Sequence, residues 1–171
     1  MKRKILYIMH VDWDWIKQRP HFIAEKLANH FDLLISYPFS RKRSLLTKNN
    51  REGLRFCPFV AIPFRQKNIV LYYLNIFILR IYFTVVLYIF KPDFIWITSP
   101  ELTPYIPSRN RKLIYDCMDD ICEFNYDPAF RNVLKNLEKK LLLRASLIFS
   151  SSKHLMNVID SRFKSLEKIR L

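Results

Sequence analysis

KILYIMHVDWDWIKQRPHFIAEKLANHFDLLIS, residues 4–36, decides the fold. Its opening apolar run, residues 4–9, reads as a strand. A polar loop, HVDWDWIKQR, follows, and Pro20 then stands where proline suits a helix, in the first turn. Phe22, Ile23, Leu27 and Ala28 share one helical face, and residues 33–36 return to an apolar run. Strand, helix and strand in this order close a βαβ unit.

Outward from this unit the alternation continues. Further strands are predicted in residues 54–62, 93–98, 112–115 and 147–150, with helical segments before most of them. No repeat, low-complexity tract or linker interrupts the 171 residues, and half of them are apolar, so residues 1–171 are expected to form one domain with a full core. The expected class is α/β: a doubly wound, Rossmann-like parallel sheet with helices on both faces. Gly53 is the only glycine. A dinucleotide fingerprint needs three glycines and a Walker A loop two, because a Cβ keeps backbone N–H groups from closing around phosphate. Both are excluded, and side chains must do the work of any cleft.

The charge is lopsided, with 29 Lys and Arg against 15 Asp and Glu, a net +14 that favours anionic partners. Cys57, Cys117 and Cys122 are odd in number and lack CxxC spacing, which points to a reducing cytosol rather than to disulfides or zinc. The start MKRKILYIM has a basic head, but its apolar run ends at His10, too short for a signal peptide, so it is expected to be the first strand. Ile69–Phe90 is apolar enough for a membrane span, about 33 Å as a helix. Arg80 at its centre costs about 2.5–3.5 kcal/mol in a bilayer, Asn75 adds to that, and a span would split the strands between two compartments. A crossover helix is therefore preferred. An intermediate arrangement rests Tyr72, Tyr73, Tyr82 and Tyr88 in the membrane interface, with basic residues on anionic headgroups.

Candidate chemistry lies where parallel sheets place it, at the carboxyl ends of the strands. His10 and Asp12 follow the first strand, Ser99 and Glu101 the fourth, Asp116, Asp119 and Asp120 the fifth, and Ser151 and Ser152 the sixth. Asp120 with Glu123 has capping-box spacing and Ser152 precedes KHLMNVID, so capping is preferred for both. Asp116 directly follows an apolar strand and is expected to face the cleft, as a hydrogen-bond acceptor for sugar hydroxyls or a general base. Of His10, His21, His30 and His154, only His10 stands where a base acts, and none shows metal spacing. The acidic loop DCMDD is a weak metal signal, so neither metal nor cofactor is expected. Trp13 or Trp15 is expected to line a ligand cleft, stacking on a sugar face, with an indole covering the sheet edge as the alternative. Arg19, just ahead of Pro20, is expected to reach a phosphate near a helix N-terminus.

WDWIKQRPHFIAEKLA after the first strand, KPDFIWITSP at the fourth, YDCMDD at the fifth and LEKKLLLRASLIFSSSKHL around the sixth together resemble the amino-terminal half of GT-B glycosyltransferases. The likeness is greatest to bacterial enzymes of cell-surface polysaccharide assembly, such as teichuronic acid glycosyltransferases. It covers almost the whole chain. In that family this half holds the acceptor, and the carboxyl-terminal half binds the nucleotide-sugar donor. The resemblance therefore implies that Asp12, Trp13, Arg19, Glu101, Asp116, Asp119, Asp120 and Ser151 line the acceptor side of an interdomain cleft. It also implies a sugar or lipid-linked acceptor, a peripheral place on the inner face of the cytoplasmic membrane, and inactivity without a donor domain or partner chain, since the sequence stops at KIRL. Two rival classes remain open: a non-catalytic membrane-surface module, and a nucleic-acid binder using RKRSLLTKNNR and SRNRK. The second ranks last because the aromatics are not interleaved with those basic runs, so no nucleic-acid partner is expected. A receiver domain is disfavoured because Asp12 and Asp14 are not an adjacent acidic pair.

Overall fold

In a computed structural model of the chain, residues 2–40, 51–63, 65, 68–107, 112–124, 128–163 and 169–170 are described. Seven parallel strands form one sheet in the order β3-β2-β1-β4-β5-β6-β7. The strands are β1 (Lys4–Ile8), β2 (Asp32–Ser36), β3 (Arg55–Phe56), β4 (Phe94–Ile97), β5 (Lys112–Cys117), β6 (Ala145–Ser150) and β7 (Ile169–Arg170). The helices are α1 (Arg19–His30), α2 (Ile69–Phe90), α3 (Pro128–Arg144) and α4 (Lys153–Phe163). The doubly wound α/β class read from the sequence is the one observed.

Two strand expectations need correction. The third strand pairs over only two residues plus an isolated bridge from Phe59 to Pro38, because Pro58 brings no N–H to a ladder. A seventh strand, β7, extends the sheet beside β6 and was not expected.

The central strands are near-continuous apolar runs because they are covered on both faces. On one face Ile5, Tyr7, Met9, Trp13, Leu33, Ile35 and Trp96 form a core with Ala24 of α1. On the other, Leu6, Ile8, Ile95, Ile97, Leu113 and Tyr115 pack against Leu79, Phe83 and Leu87 of α2, Leu141 and Leu142 of α3, and Leu155 and Ile159 of α4.

The long apolar helix α2 is the crossover from β3 to β4. Asn68 caps it, its Oδ1 accepting the N–H groups of Val70 at 2.9 Å and Leu71 at 3.2 Å. Lys91 ends it in the left-handed region at φ 51°. Its buried stripe is Asn75, Leu79, Phe83, Leu87 and Phe90. Asn75 accepts the Ile62 N–H at 2.8 Å and donates to the Tyr105 hydroxyl at 2.9 Å, so its amide belongs to the core. Length and composition alone would let α2 cross a bilayer, but the strands before and after it share one sheet. The crossover reading is the one observed.

Candidate functional site

All the strands are parallel, so their carboxyl ends share one edge, and the strand order reverses between β1 and β4. In open α/β sheets the crevice at such a reversal is where ligands sit. His10 follows β1 there and Thr98 follows β4. The His10 N–H donates to Thr98 Oγ1 at 3.1 Å, and its ring Nδ1 lies 2.7 Å from the same oxygen. This pair stitches the floor of a cleft of about 150 Å³, lined by His10, Ser99, Glu101, Met118, Asp119 and Phe124 among others. That is small beside the roughly 300–1,000 Å³ of complete ligand pockets.

The cleft holds groups of contrasting charge state. Burial outweighs the nearby Asp119 carboxylate and lowers the His10 pKa to about 4, so the ring is neutral at physiological pH. Burial raises the Glu101 carboxyl, opposed by Arg65 at 3.8 Å. Ser99 is buried and caps the 3₁₀ turn Pro100–Tyr105, its Oγ accepting the Glu101 N–H at 3.4 Å. Asp119 is exposed and has no ion-pair partner among the described residues. Of the residues named from the sequence, His10, Ser99, Glu101 and Asp119 are brought together here.

Asp116 does not line this cleft, which corrects the expectation for it. Side chains alternate along a strand, so Tyr115 and Cys117 join the α2 side of the sheet and Asp116 turns toward α1. There its Oδ1 accepts a hydrogen bond from Arg19 Nη2 at 3.0 Å. The carboxylate is fully buried, and its Oδ2 has no partner among the described residues. The buried hydroxyl of Tyr7 is also unpartnered among them. Burial raises the Asp116 pKa against the pull of Arg19, and raises that of Tyr7 further, with the Asp116 charge adding to the rise. Asp116 therefore reaches solvent only by way of Arg19, whose side chain is 41% exposed.

The loop after β1 is a structural device. Asp12 is fully buried. Its Oδ1 accepts the Asp14 N–H at 3.0 Å and its Oδ2 the Ser40 N–H at 2.7 Å. Both oxygens are engaged by backbone, so Asp12 is not a ligand group. Trp13 is 0% exposed, with Phe56 and His21 each 4.9 Å from its ring. A sugar has no face to stack on, so the cleft expectation fails for Trp13. Trp15 is half-buried, and of the two indoles only it stays near solvent. His21 Nδ1 accepts the Gln18 N–H at 3.1 Å, so Nε2 carries the proton and donates to the Trp13 carbonyl at 3.1 Å.

Asp120 and Glu123 do not form the expected capping box. Asp120 makes no side-chain cap. It pairs with Arg162 of α4 through two 2.7 Å bonds, and Glu123 joins at 3.2 Å. Ser152 does cap α4, its Oγ accepting the Leu155 N–H at 3.1 Å. Ser151 donates to the Met118 carbonyl at 2.6 Å and so ties the end of β6 to the loop after β5. The acidic residues of DCMDD thus diverge, and no cluster able to hold a metal occurs among the described residues.

Three participants escaped the sequence reading. Thr98 was legible in principle, since it precedes Ser99 at the end of β4. Arg51 pairs with Asp14 and donates to the Tyr37 hydroxyl at 2.8 Å, a contact that no spacing announces. Buried Glu138 of α3 accepts from Tyr115 at 3.2 Å and Cys122 at 3.4 Å. Apart from Arg51 and Lys112, the basic runs at 41–51 and 108–112 lie outside the described residues.

The fold is that of the amino-terminal half of GT-B enzymes. Three of the matching solved structures illustrate the likeness. The chain is similar to a UDP-N-acetylglucosamine 2-epimerase from Rickettsia bellii, at 12% identity and a TM-score of 0.63, covering 99% of this chain and 44% of that one. It is similar to a sucrose-phosphate synthase from Thermosynechococcus elongatus, at 10% identity and 0.64, covering 99% and 47%. It is also similar to a lipopolysaccharide outer core galactosyltransferase, at 11% and 0.63, covering 98% and 44%. The chain thus spans just under half the length of each. No family model matches it, and no curated protein does.

Proposed function

We propose that the chain is the acceptor-binding half of a glycosyltransferase. In this reading it receives a sugar from a nucleotide-sugar donor onto a polysaccharide or lipid-linked acceptor, and it is inactive until a donor domain closes the other side of the cleft. The observation that carries it is the cleft at the strand reversal, too small for a complete ligand site and walled in part by His10, Ser99, Glu101 and Asp119. A galactosyltransferase among its structural neighbours supports the same reaction class.

The residues divide the work. Neutral His10, fixed by Thr98, offers Nε2 to an acceptor hydroxyl, as donor or acceptor according to its tautomer. Ser99 and Asp119 offer further hydrogen-bonding groups to sugar hydroxyls. Arg19, positioned by Asp116, reaches from the α1 side toward anionic groups of a substrate. An acceptor carried on lipid places the protein peripherally on the inner face of the cytoplasmic membrane.

The test has two arms. On the chain alone, acceptor oligosaccharides are titrated while the His10 imidazole resonances are followed by NMR. A saturable shift is expected, the backbone amide shifts of Thr98 and Ser99 should report weaker binding in His10→Ala, and silence across a broad acceptor panel overturns the reading. With a donor half supplied, transfer from nucleotide sugars to membrane lipid extracts is expected to fall roughly hundredfold in His10→Ala. Transfer by the chain alone would contradict the half-site. Vesicle binding with no sugar response would favour a non-catalytic membrane module, to which the outer face of α2 lends weight.

A further inference from the structure

The side of α2 opposite its buried stripe is apolar along its whole length. Val70 is 70% exposed, Leu74 44%, Phe77 64%, Ile81 52%, Val85 50% and Tyr88 71%. Their spacing of three or four residues sets them in one line down the helix. Thr84, beside this line, donates its hydroxyl to the Arg80 carbonyl at 2.7 Å and so is satisfied within the helix. A 22-residue helix is about 33 Å long, and a continuous strip of that length is far from scattered surface hydrophobicity.

Cations flank the strip. Arg80 of α2 is exposed, and Arg144 at the end of α3 is near enough to feel its charge, an effect second to burial in lowering the Arg144 pKa. Neither has a carboxylate partner among the described residues. Lys139 and Lys140 are exposed on α3, whose only acid, Glu138, is buried. The two helices lie in the same layer, with Tyr72 of α2 and Phe130 and Leu137 of α3 lining one small pocket between them.

We infer that α2 lies lengthwise in the interface of an anionic phospholipid bilayer, its outer strip among the upper acyl chains and Arg80 and Arg144 on lipid phosphates. The helix does not span. Its buried stripe belongs to the protein core, and withdrawing it would break the sheet between β1 and β4. A second copy is a poorer occupant, since a net charge of +14 repels its like and attracts an anionic surface. The orientation follows from the topology. β3 delivers the chain to the carboxyl edge, so α2 begins there, and Glu101 lines both the cleft and the pocket at this end of α2. A bilayer holding α2 therefore runs alongside the cleft mouth. This inference rests on the fold and the surface, not on the acceptor-half reading.

The test is flotation of the chain with vesicles of phosphatidylcholine alone or mixed with phosphatidylglycerol, followed by alkaline carbonate extraction. The chain is expected to float with the anionic vesicles and to be stripped by carbonate. Phe77→Ser with Ile81→Ser should weaken binding roughly tenfold or more. Arg80→Gln with Arg144→Gln should weaken anionic-vesicle binding roughly thirtyfold and leave neutral-vesicle binding unchanged. Phe22→Ser, an exposed apolar site on α1, should change nothing. Circular dichroism checks folding, and Leu74→Ser and Val85→Ser singly replace the double variant if it unfolds. Strip variants that bind like the parent overturn the inference, as does resistance to carbonate. Concentration-dependent dimerisation without vesicle binding would assign the strip to a second copy instead.

Discussion

Asp12 and Asp116 look alike in sequence, each a carboxylate just past an apolar strand, and both are fully buried. Their environments separate them. Asp12 has each oxygen filled by a backbone N–H, one from Asp14 in its own loop and one from Ser40 beyond β2. Asp116 meets one arginine on one oxygen and nothing among the described residues on the other. A buried carboxylate with its acceptor sites filled by backbone N–H groups holds a loop shape, and replacing it leaves buried donors unmet. One with an unengaged oxygen and a half-exposed cation attached is a group held in tension, which is how binding and catalytic residues are often kept.

Four measurements sharpen or break this contrast between a carboxylate closed in by backbone and one left with an open oxygen and an exposed arginine. Trp13→Ala should have the largest effect, destabilising the chain by about 3–5 kcal/mol in chemical denaturation, because it opens a large hole against Phe56 and His21. Trp15→Ala in the same assay should cost far less, and equal losses would erase the distinction between the two indoles. Asp12→Ala comes next, at about 2–4 kcal/mol, as two backbone donors lose their acceptor.

The third concerns pH. His10 is lowered to about 4 in the folded state and titrates near 6.5 when unfolded, so between those values the unfolded chain binds the extra proton. Stability from this group is fully present above about pH 6.5 and is lost as pH falls toward 4. The loss should be about 3 kcal/mol by pH 4 and should vanish in His10→Gln, as read from urea midpoints across that range. The smallest effect is expected for Asp116→Asn, within about 1 kcal/mol at neutral pH. Its folded pKa is raised, so the charged form is already disfavoured by burial, and removing the charge relieves that cost while the bond to Arg19 is lost. A loss as large as that of Asp12→Ala would place Asp116 among the structural carboxylates.

Much of the fold was legible because parallel strands covered on both faces read as apolar runs, and the unit of residues 4–36 set the pattern early. β3 was overestimated because apolar character continues past Pro58, while ladder pairing depends on backbone N–H groups that hydropathy does not report. β7 is a two-residue edge strand, too short for any periodic signal. For the site, the rule that ligand clefts form at strand carboxyl ends pointed to His10, Ser99, Glu101 and Asp119, which line one cleft. It failed for Asp116 because it does not fix which face a residue takes. It failed for Trp13 and Asp120 because their partners, Phe56 and Arg162, are 40 or more residues away in sequence.

β1 at the centre of the sheet pairs on one side with β4, Ile5 lying beside Phe94. During synthesis at about 5–20 residues per second, the first strand waits roughly 5 to 20 seconds for that neighbour to emerge. Once residues 69–90 have been made, α2 is the newest helix, and until β4 arrives only the β1 side of the sheet can cover its inner stripe, so much of both apolar sides faces water. Ribosome-bound nascent chains in which α2 but not β4 has emerged from the ribosome should therefore be the most aggregation-prone of the series, and the emergence of β4 should end that vulnerability abruptly.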